Sequence, residues 1–191
     1  MNRRDAIKRT AILMGGTISA SAMLGILNGC TADPVPADGW TPAFFSAEEG
    51  EIVKQMAERI FPKTDTPGAI DAGVHGFIDT MMAEFYQEPE KKMFREGVQR
   101  VEADAKSEYG KSFVALKPDQ MDALLTKYDE EAFGENRQDG PHFWRMMKEL
   151  TTLGFFTSEV GATEVLKYDP VPGDYKGCIP FEEVGVAWAT S

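Results

Sequence analysis

The chain has 191 residues, 42% of them hydrophobic and 27% charged, which is enough to bury one core and too apolar for bulk disorder. Its formal net charge is −11, which argues against nucleic acid and anionic lipid headgroups as partners. Two cysteines and two histidines are too few for a disulfide framework, a four-ligand structural zinc site or most metal-centred chemistry.

The chain opens with MNRRDAIKR, a basic segment carrying Arg3, Arg4, Lys8 and Arg9. Ala11 to Ile26 follows as a weakly apolar run broken by Gly15, Gly16, Thr17, Ser19 and Ser21, and it closes on Leu27-Asn28-Gly29-Cys30. The run is too short and too glycine-rich for a good transmembrane helix, and its flanks suit a bacterial export signal. Asn2-Arg3-Arg4-Asp5-Ala6-Ile7-Lys8 resembles a twin-arginine signal, which carries folded proteins across the membrane; Leu27 to Cys30 resembles a lipobox. On this reading residues 1–29 are a lipoprotein signal peptide with Arg3 and Arg4 as export determinants. Cys30 is acylated, and the protein is lipid-anchored on the periplasmic side of a bacterial membrane. An uncleaved N-terminal anchor helix is the simpler alternative. Removing residues 1–29 takes away four basic residues and one acid, so the remainder is more acidic still. Residues 30–45, with Pro34, Pro36, Gly39 and Pro42, read as a linker, and residues 46–191 as the domain.

The domain reads as helices throughout. Ser46 and Glu49 have capping-box spacing, Ile52, Val53, Met56 and Ile60 recur at helical period, and Pro62 stops the run. A turn-rich connector follows. A second helix spans Asp71 to Tyr86, with Val74, Phe77, Ile78, Met81, Met82 and Phe85 on a wide apolar face. The third runs from Glu90 to Tyr109 over Phe94, Val98, Val101 and Ala105. Pro118 opens the fourth, whose stripe is Met121, Leu124, Leu125 and Tyr128. Residues 132–140 are loop-like, and Pro141 opens the fifth, carrying Phe143, Trp144, Met146, Met147, Leu150 and Leu153. No strand-length alternation and no repeat appears. The expected fold is all-α: a compact bundle of about five helices with an irregular Pro/Gly-rich C-terminal tail.

Chemistry-bearing motifs do not stand out. There is no dinucleotide-binding glycine fingerprint, Walker loop, nucleophile elbow or haem-attachment Cys-x-x-Cys-His. No catalytic, cofactor-binding or metal-ligating residue is therefore assigned to this chain. The methionines fall on apolar helical faces and read as core packing. His75 and His142 read as satisfied, partly exposed histidines. The acids Glu48, Glu49, Glu51, Glu102, Asp104, Asp129, Glu130 and Glu131 read as solvated polar faces. From Lys167 onward Pro170, Pro172, Gly173, Gly177 and Pro180 make the tail stiff but not helical, and Tyr168, Tyr175 and Trp188 make it aromatic. Such a tail either wraps its own bundle or lies on another subunit.

From Ser46 to Trp188 the chain resembles the gluconate 2-dehydrogenase subunit 3 family. The resemblance is carried by Ile60-Phe61-Pro62-Lys63-Thr64-Asp65-Thr66-Pro67-Gly68-Ala69, Ala72-Gly73-Val74, Phe77-Ile78-Asp79, the Phe143-to-Phe156 helix with its ending Thr152-Leu153-Gly154-Phe155-Phe156-Thr157-Ser158, Tyr168-Asp169-Pro170-Val171-Pro172-Gly173 and Gly177-Cys178-Ile179-Pro180. It implies a non-catalytic small subunit of a membrane-associated, FAD-dependent sugar or sugar-acid dehydrogenase. FAD would belong to a GMC-type large subunit, and haem to a multihaem cytochrome c that accepts the electrons. The small subunit would carry the export signal and help the flavoprotein mature. Partner-binding residues are then expected in the tail: Tyr168, Pro172, Tyr175, Cys178, Pro180 and Trp188.

With Cys30 acylated, Cys178 lacks an intramolecular partner. It is a buried, inert thiol, a reactive thiol, or one that forms an intermolecular disulfide, which the resemblance would direct to the large subunit. Two other functions stand against the accessory subunit. One is a free-standing enzyme whose acids pair across helices, and the other a lipoprotein scaffold without a redox partner.

Overall fold

The computed structural model describes residues 40–189 except 136, 138, 170, 172, 175 and 176. The expectations placed on Arg3, Arg4, Cys30, Pro172 and Tyr175 lie outside the described residues. From Thr41 onward the described residues are all-α. Five helices of substantial length carry the fold: α1 (Ala47–Ile60), α2 (Val74–Glu84), α3 (Glu88–Tyr109), α4 (Pro118–Phe133) and α5 (Phe143–Thr157). A 3-10 turn (Phe113–Ala115) joins α3 to α4, a π turn (Gly161–Val165) follows α5, and the tail contains a four-residue helix, α6 (Phe181–Val184). An isolated bridge between Lys167 and Trp188 is the extended pairing seen among the described residues.

The helix ends show how local chemistry sets the boundaries. Ser46 caps α1 as expected: its hydroxyl accepts from the Glu49 amide at 3.1 Å, and Glu49 accepts in return from the Ser46 amide at 3.1 Å. α2 begins three residues later than the sequence suggested, at Val74 rather than Asp71. Asp71 is not in the helix because its carboxylate accepts from the Gly68 amide and pairs with Lys63 at 3.0 Å. The chain then turns at Gly73, where φ is 67°, a conformation that costs glycine little. α3 starts earlier than expected because Glu90 reaches back to the Gln87 amide at 2.9 Å. α5 starts at Phe143, with the His142 ring nitrogen accepting from the Trp144 amide at 3.2 Å.

α5 lies at the centre and packs against each of α1, α2, α3 and α4. Phe143, Trp144, Met147, Leu150 and Phe155 bury one face of it. They meet Phe94, Val98 and Val101 of α3, Ile78 and Met82 of α2, and Tyr128 of α4 in one continuous core. The tightest approach is α3 against α5, where a Cβ built on Gly97 would stand 2.1 Å from Cγ of Phe143. In an exposed helix, Gly97→Ala would gain about 1 kcal/mol from backbone propensity. Here the Phe143 ring must move, and it is already held edge-on against Tyr128 at 5.3 Å. Overpacking costs about 1–3 kcal/mol, so sterics outweigh propensity. Gly97→Ala is expected to lower the denaturant midpoint, by a net loss of about 1 kcal/mol; a raised midpoint would contradict this packing.

Candidate functional site

The carboxylates are the first place to look for chemistry, and those lining the grooves include several that cross-link the helices. A groove of about 890 Å³ runs between the start of α1, α3 and the 3-10 turn, with Glu49, Ile52, Val98, Glu102 and Val114 among its walls. Glu102 accepts from the Phe113 amide at 2.8 Å and the Ser112 hydroxyl at 3.1 Å. Burial pushes its pKa up, but these bonds and that from Lys106 outweigh burial and hold it below the usual carboxylate range. A smaller cavity of about 310 Å³ between α1, α4 and α5 holds Arg59, Asp122, Asp129 and Lys148. Arg59 grips Asp122 with two bonds at 2.6 and 2.7 Å, and Asp129 accepts from Trp144 Nε1 at 3.0 Å and from Lys148 at 2.7 Å. Tyr128 donates to Asp104 at 2.5 Å, and burial followed by that carboxylate raises the phenol's pKa. Glu102, Asp104 and Asp129 are therefore not simply solvated, as the sequence suggested. They tie helices together because each faces a donor on a neighbouring element, which helical periodicity does not reveal.

Both histidines are explained by the fold. His75 is 6% exposed, so the expectation of partial exposure is corrected: α2 turns it inward beside Val74, Ile78 and Met82. His142 is partly buried at the start of α5. Burial lowers its pKa, against the pull of Glu131 and with the help of Arg145 and Arg100. Among the described residues no group of three or more His, Cys, Asp or Glu side chains could hold a metal ion.

Two surfaces remain that are built and exposed. The first is the connector after α1. Glu58 accepts from the amides of Lys63 and Ile70, both at 2.9 Å, while Asp71 accepts from Gly68 and pairs with Lys63. Below it Phe61 stacks on Phe155 with ring centroids 4.7 Å apart and meets Phe156 edge-on at 5.4 Å. Pro62 to Asp65 is thus an exposed turn held rigidly from beneath. Glu58 was not singled out from the sequence; an acid placed just before a helix-stopping proline is the signal that could have found it.

The second surface is the tail, and the structure puts most of its described residues in solvent. Tyr168 is 54% exposed and Trp188 44%, and Cys178 and Pro180 are exposed as well. Cys178 is a free thiol on the surface, which removes the reading of it as a buried, inert residue. The tail's ends meet at a neck. The Lys167 amide donates to the Ala187 carbonyl at 2.8 Å, the Ala189 amide donates to the Lys167 carbonyl at 2.9 Å, and the Lys167 ammonium lies 4.5 Å from the centre of the Trp188 ring. Tyr168 and Trp188 are brought to this neck, whereas Cys178 and Pro180 lie exposed further along the tail. Phe181, Val171 and Val186 are also exposed and were not singled out from the sequence. Among the described residues, six of the ten large exposed hydrophobics lie between Tyr168 and Trp188.

A strongly buried acid completes the inventory. Asp79 on α2, 2% exposed, accepts from three successive amides, Ala43 at 2.6 Å and Phe44 and Phe45 at 3.0 Å each. It fixes the strap that leads into α1. A lone acid among Val74, Ile78 and Met82 was the available signal.

Comparison with curated proteins gave no match, and comparison with solved structures gave none either. A family model described as Gluconate 2-dehydrogenase subunit 3 matches residues 47–173, which takes in all five long helices, the rigid connector and the start of the tail but stops short of Cys178, Pro180 and Trp188. The chain belongs to the gluconate 2-dehydrogenase subunit 3 family.

Proposed function

We propose that this chain is the non-catalytic accessory subunit of an exported, membrane-associated, FAD-dependent sugar or sugar-acid dehydrogenase of the gluconate type. FAD and the reacting groups belong to a GMC-type large subunit, and a multihaem cytochrome c accepts the electrons. The small subunit carries its partner through the twin-arginine route by Arg3 and Arg4, helps it mature, and anchors it by a lipid on Cys30. The observation that carries this reading is the exposed apolar tail on a family member whose buried carboxylates serve its own fold. A chain that binds nothing has little reason to keep most of its large exposed hydrophobics on one segment.

Purification of the chain from its own host tests the proposal. The expected result is stoichiometric recovery of a large subunit with a flavin absorption band, and no sugar oxidation by the small chain alone. Recovery without any flavoprotein would favour the scaffold reading, and flavin bound to the small chain alone would favour a free-standing enzyme. In the accessory-subunit reading Cys178, whose thiol is exposed, forms a disulfide to the large subunit. On a non-reducing gel the heterodimer band is expected to vanish in Cys178→Ser; a band that survives the substitution would overturn the pairing.

A further inference from the structure

We infer that the tail is a loop closed before its partner arrives, and that it fits an apolar cleft flanked by lysine and arginine side chains on the flavoprotein subunit; this rests on the accessory-subunit reading above. Closure comes from the neck, where two backbone hydrogen bonds join Lys167 to Ala187 and Ala189 and the Lys167 ammonium stacks on Trp188. The entropy of bringing the loop ends together is therefore spent in folding rather than in binding. The apolar nature of the cleft follows from what the loop presents. Val171 is 80% exposed and Phe181 66%, with Tyr168, Ile179 and Val186 also open to solvent. These are anchors that gain only when a partner removes them from water.

The basic flank follows from charge. Between Tyr168 and Trp188 the sequence holds Asp169, Asp174, Glu182 and Glu183 against Lys176 alone, and all four acids are exposed. Glu182 and Glu183 follow Phe181 in α6, so a surface that covers that ring lies close to two exposed acids. This disfavours two other occupants. A second copy docking through the same loop would set acids against acids in a self-complementary contact. A membrane surface of anionic headgroups would repel the same cluster. A cleft with apolar walls and cationic edges satisfies both features of the loop at once.

The test titrates the purified chain with the co-expressed flavoprotein subunit, under reducing conditions that keep Cys178 a free thiol, at several salt concentrations. Neutralising the four acids (Asp169→Asn, Asp174→Asn, Glu182→Gln, Glu183→Gln) is expected to weaken binding about tenfold at low salt, and the gap is expected to close as screening shortens to a few Å near 1 M. Removing the anchors (Tyr168→Ser, Val171→Ser, Phe181→Ser) is expected to weaken binding by about a hundredfold at every salt concentration. Trp188→Ala is expected to speed amide exchange at Lys167 and Ala189 and to weaken binding several-fold. All of these positions are exposed, so unchanged circular dichroism should accompany each variant. If the anchor variant binds like wild type, docking through the tail is wrong. If it fails to bind while the neutralised variant keeps wild-type affinity and salt dependence, docking stands and the basic-flanked cleft is overturned. Unchanged exchange in Trp188→Ala overturns the closed neck. Loop-dependent self-association of the wild type, seen by ultracentrifugation and absent in the anchor variant, would replace the flavoprotein by a second copy as the occupant.

Discussion

Asp79→Ala should destabilise the domain by about 3–4 kcal/mol and release the strap from Thr41 to Phe45, because hydrogen bonds to a charged acceptor contribute about 1.5–3 kcal/mol each and Asp79 supplies three of them. The sum is not reached, since the Ala43 and Phe44 amides are only part-buried in these bonds and regain water when the carboxylate is gone. The Phe45 amide does not: its bond is buried, and its side chain is packed against Phe94 at 5.8 Å. That orphaned donor sets the floor of the loss. Arg95 remains as a second hold on the strap, donating to the Phe44 carbonyl at 2.8 Å and lying 4.2 Å from the centre of its ring. The strap should therefore loosen without taking α1 with it. Urea unfolding reads the stability, and amide exchange at Ala43, Phe44 and Phe45 reads the strap. Asp79→Asn keeps a neutral acceptor and should lose about half as much. A loss below about 1 kcal/mol for Asp79→Ala would show that the three bonds are replaced by water at little cost. On the proposed function, in which residues 30–45 link a lipid on Cys30 to the domain, Asp79 holds the last residues of that linker, Ala43 to Phe45.

The helical core was legible because its information is periodic and local. Ile52, Val53 and Met56, or Met121, Leu124 and Leu125, announce a buried face by spacing alone, and all of them are buried. The Ser46–Glu49 cap was legible for the same reason, since both partners lie within one turn. What was missed depends on contacts between segments far apart in the chain. Asp71 suits a helix start by composition, yet a loop amide and Lys63 claim its carboxylate, and the helix begins later. Asp79, Glu58 and Glu102 each bond backbone amides of another segment, and a side chain's sequence neighbours do not reveal such partners. The tail shows the same division. Its irregularity was plain from proline and glycine, whereas its neck, formed by Lys167 and Trp188 from opposite ends, was not. Of the readings left open for Cys178, the buried one was removed by exposure, a tertiary property.

Replacing Arg3 and Arg4 together by lysine should leave the flavoprotein subunit inside the cell, folded and with FAD bound, and reduce its exported fraction by about tenfold or more. The substitution keeps both positive charges, so a signal read only as a basic n-region would be unaffected. Arginine offers a planar fork of donors that lysine does not reproduce, so a receptor recognising the pair itself should reject the variant. The dependence on this pair that the proposed function expects of the large subunit has a physical basis. A flavoprotein closes its chain around FAD before export, and a route that takes folded cargo allows a partner without its own signal to travel bound to one that has it. Fractionation with an assay of sugar-dependent dye reduction in each compartment reads the outcome. Lys8→Arg, which changes a basic residue outside the pair, should export normally. The variant small subunit should still bring down the flavoprotein from the cytoplasmic fraction, which separates lost transport from lost assembly. Unchanged export in the doubly substituted chain would mean that the large subunit crosses by another route, and the accessory role would reduce to anchoring and maturation.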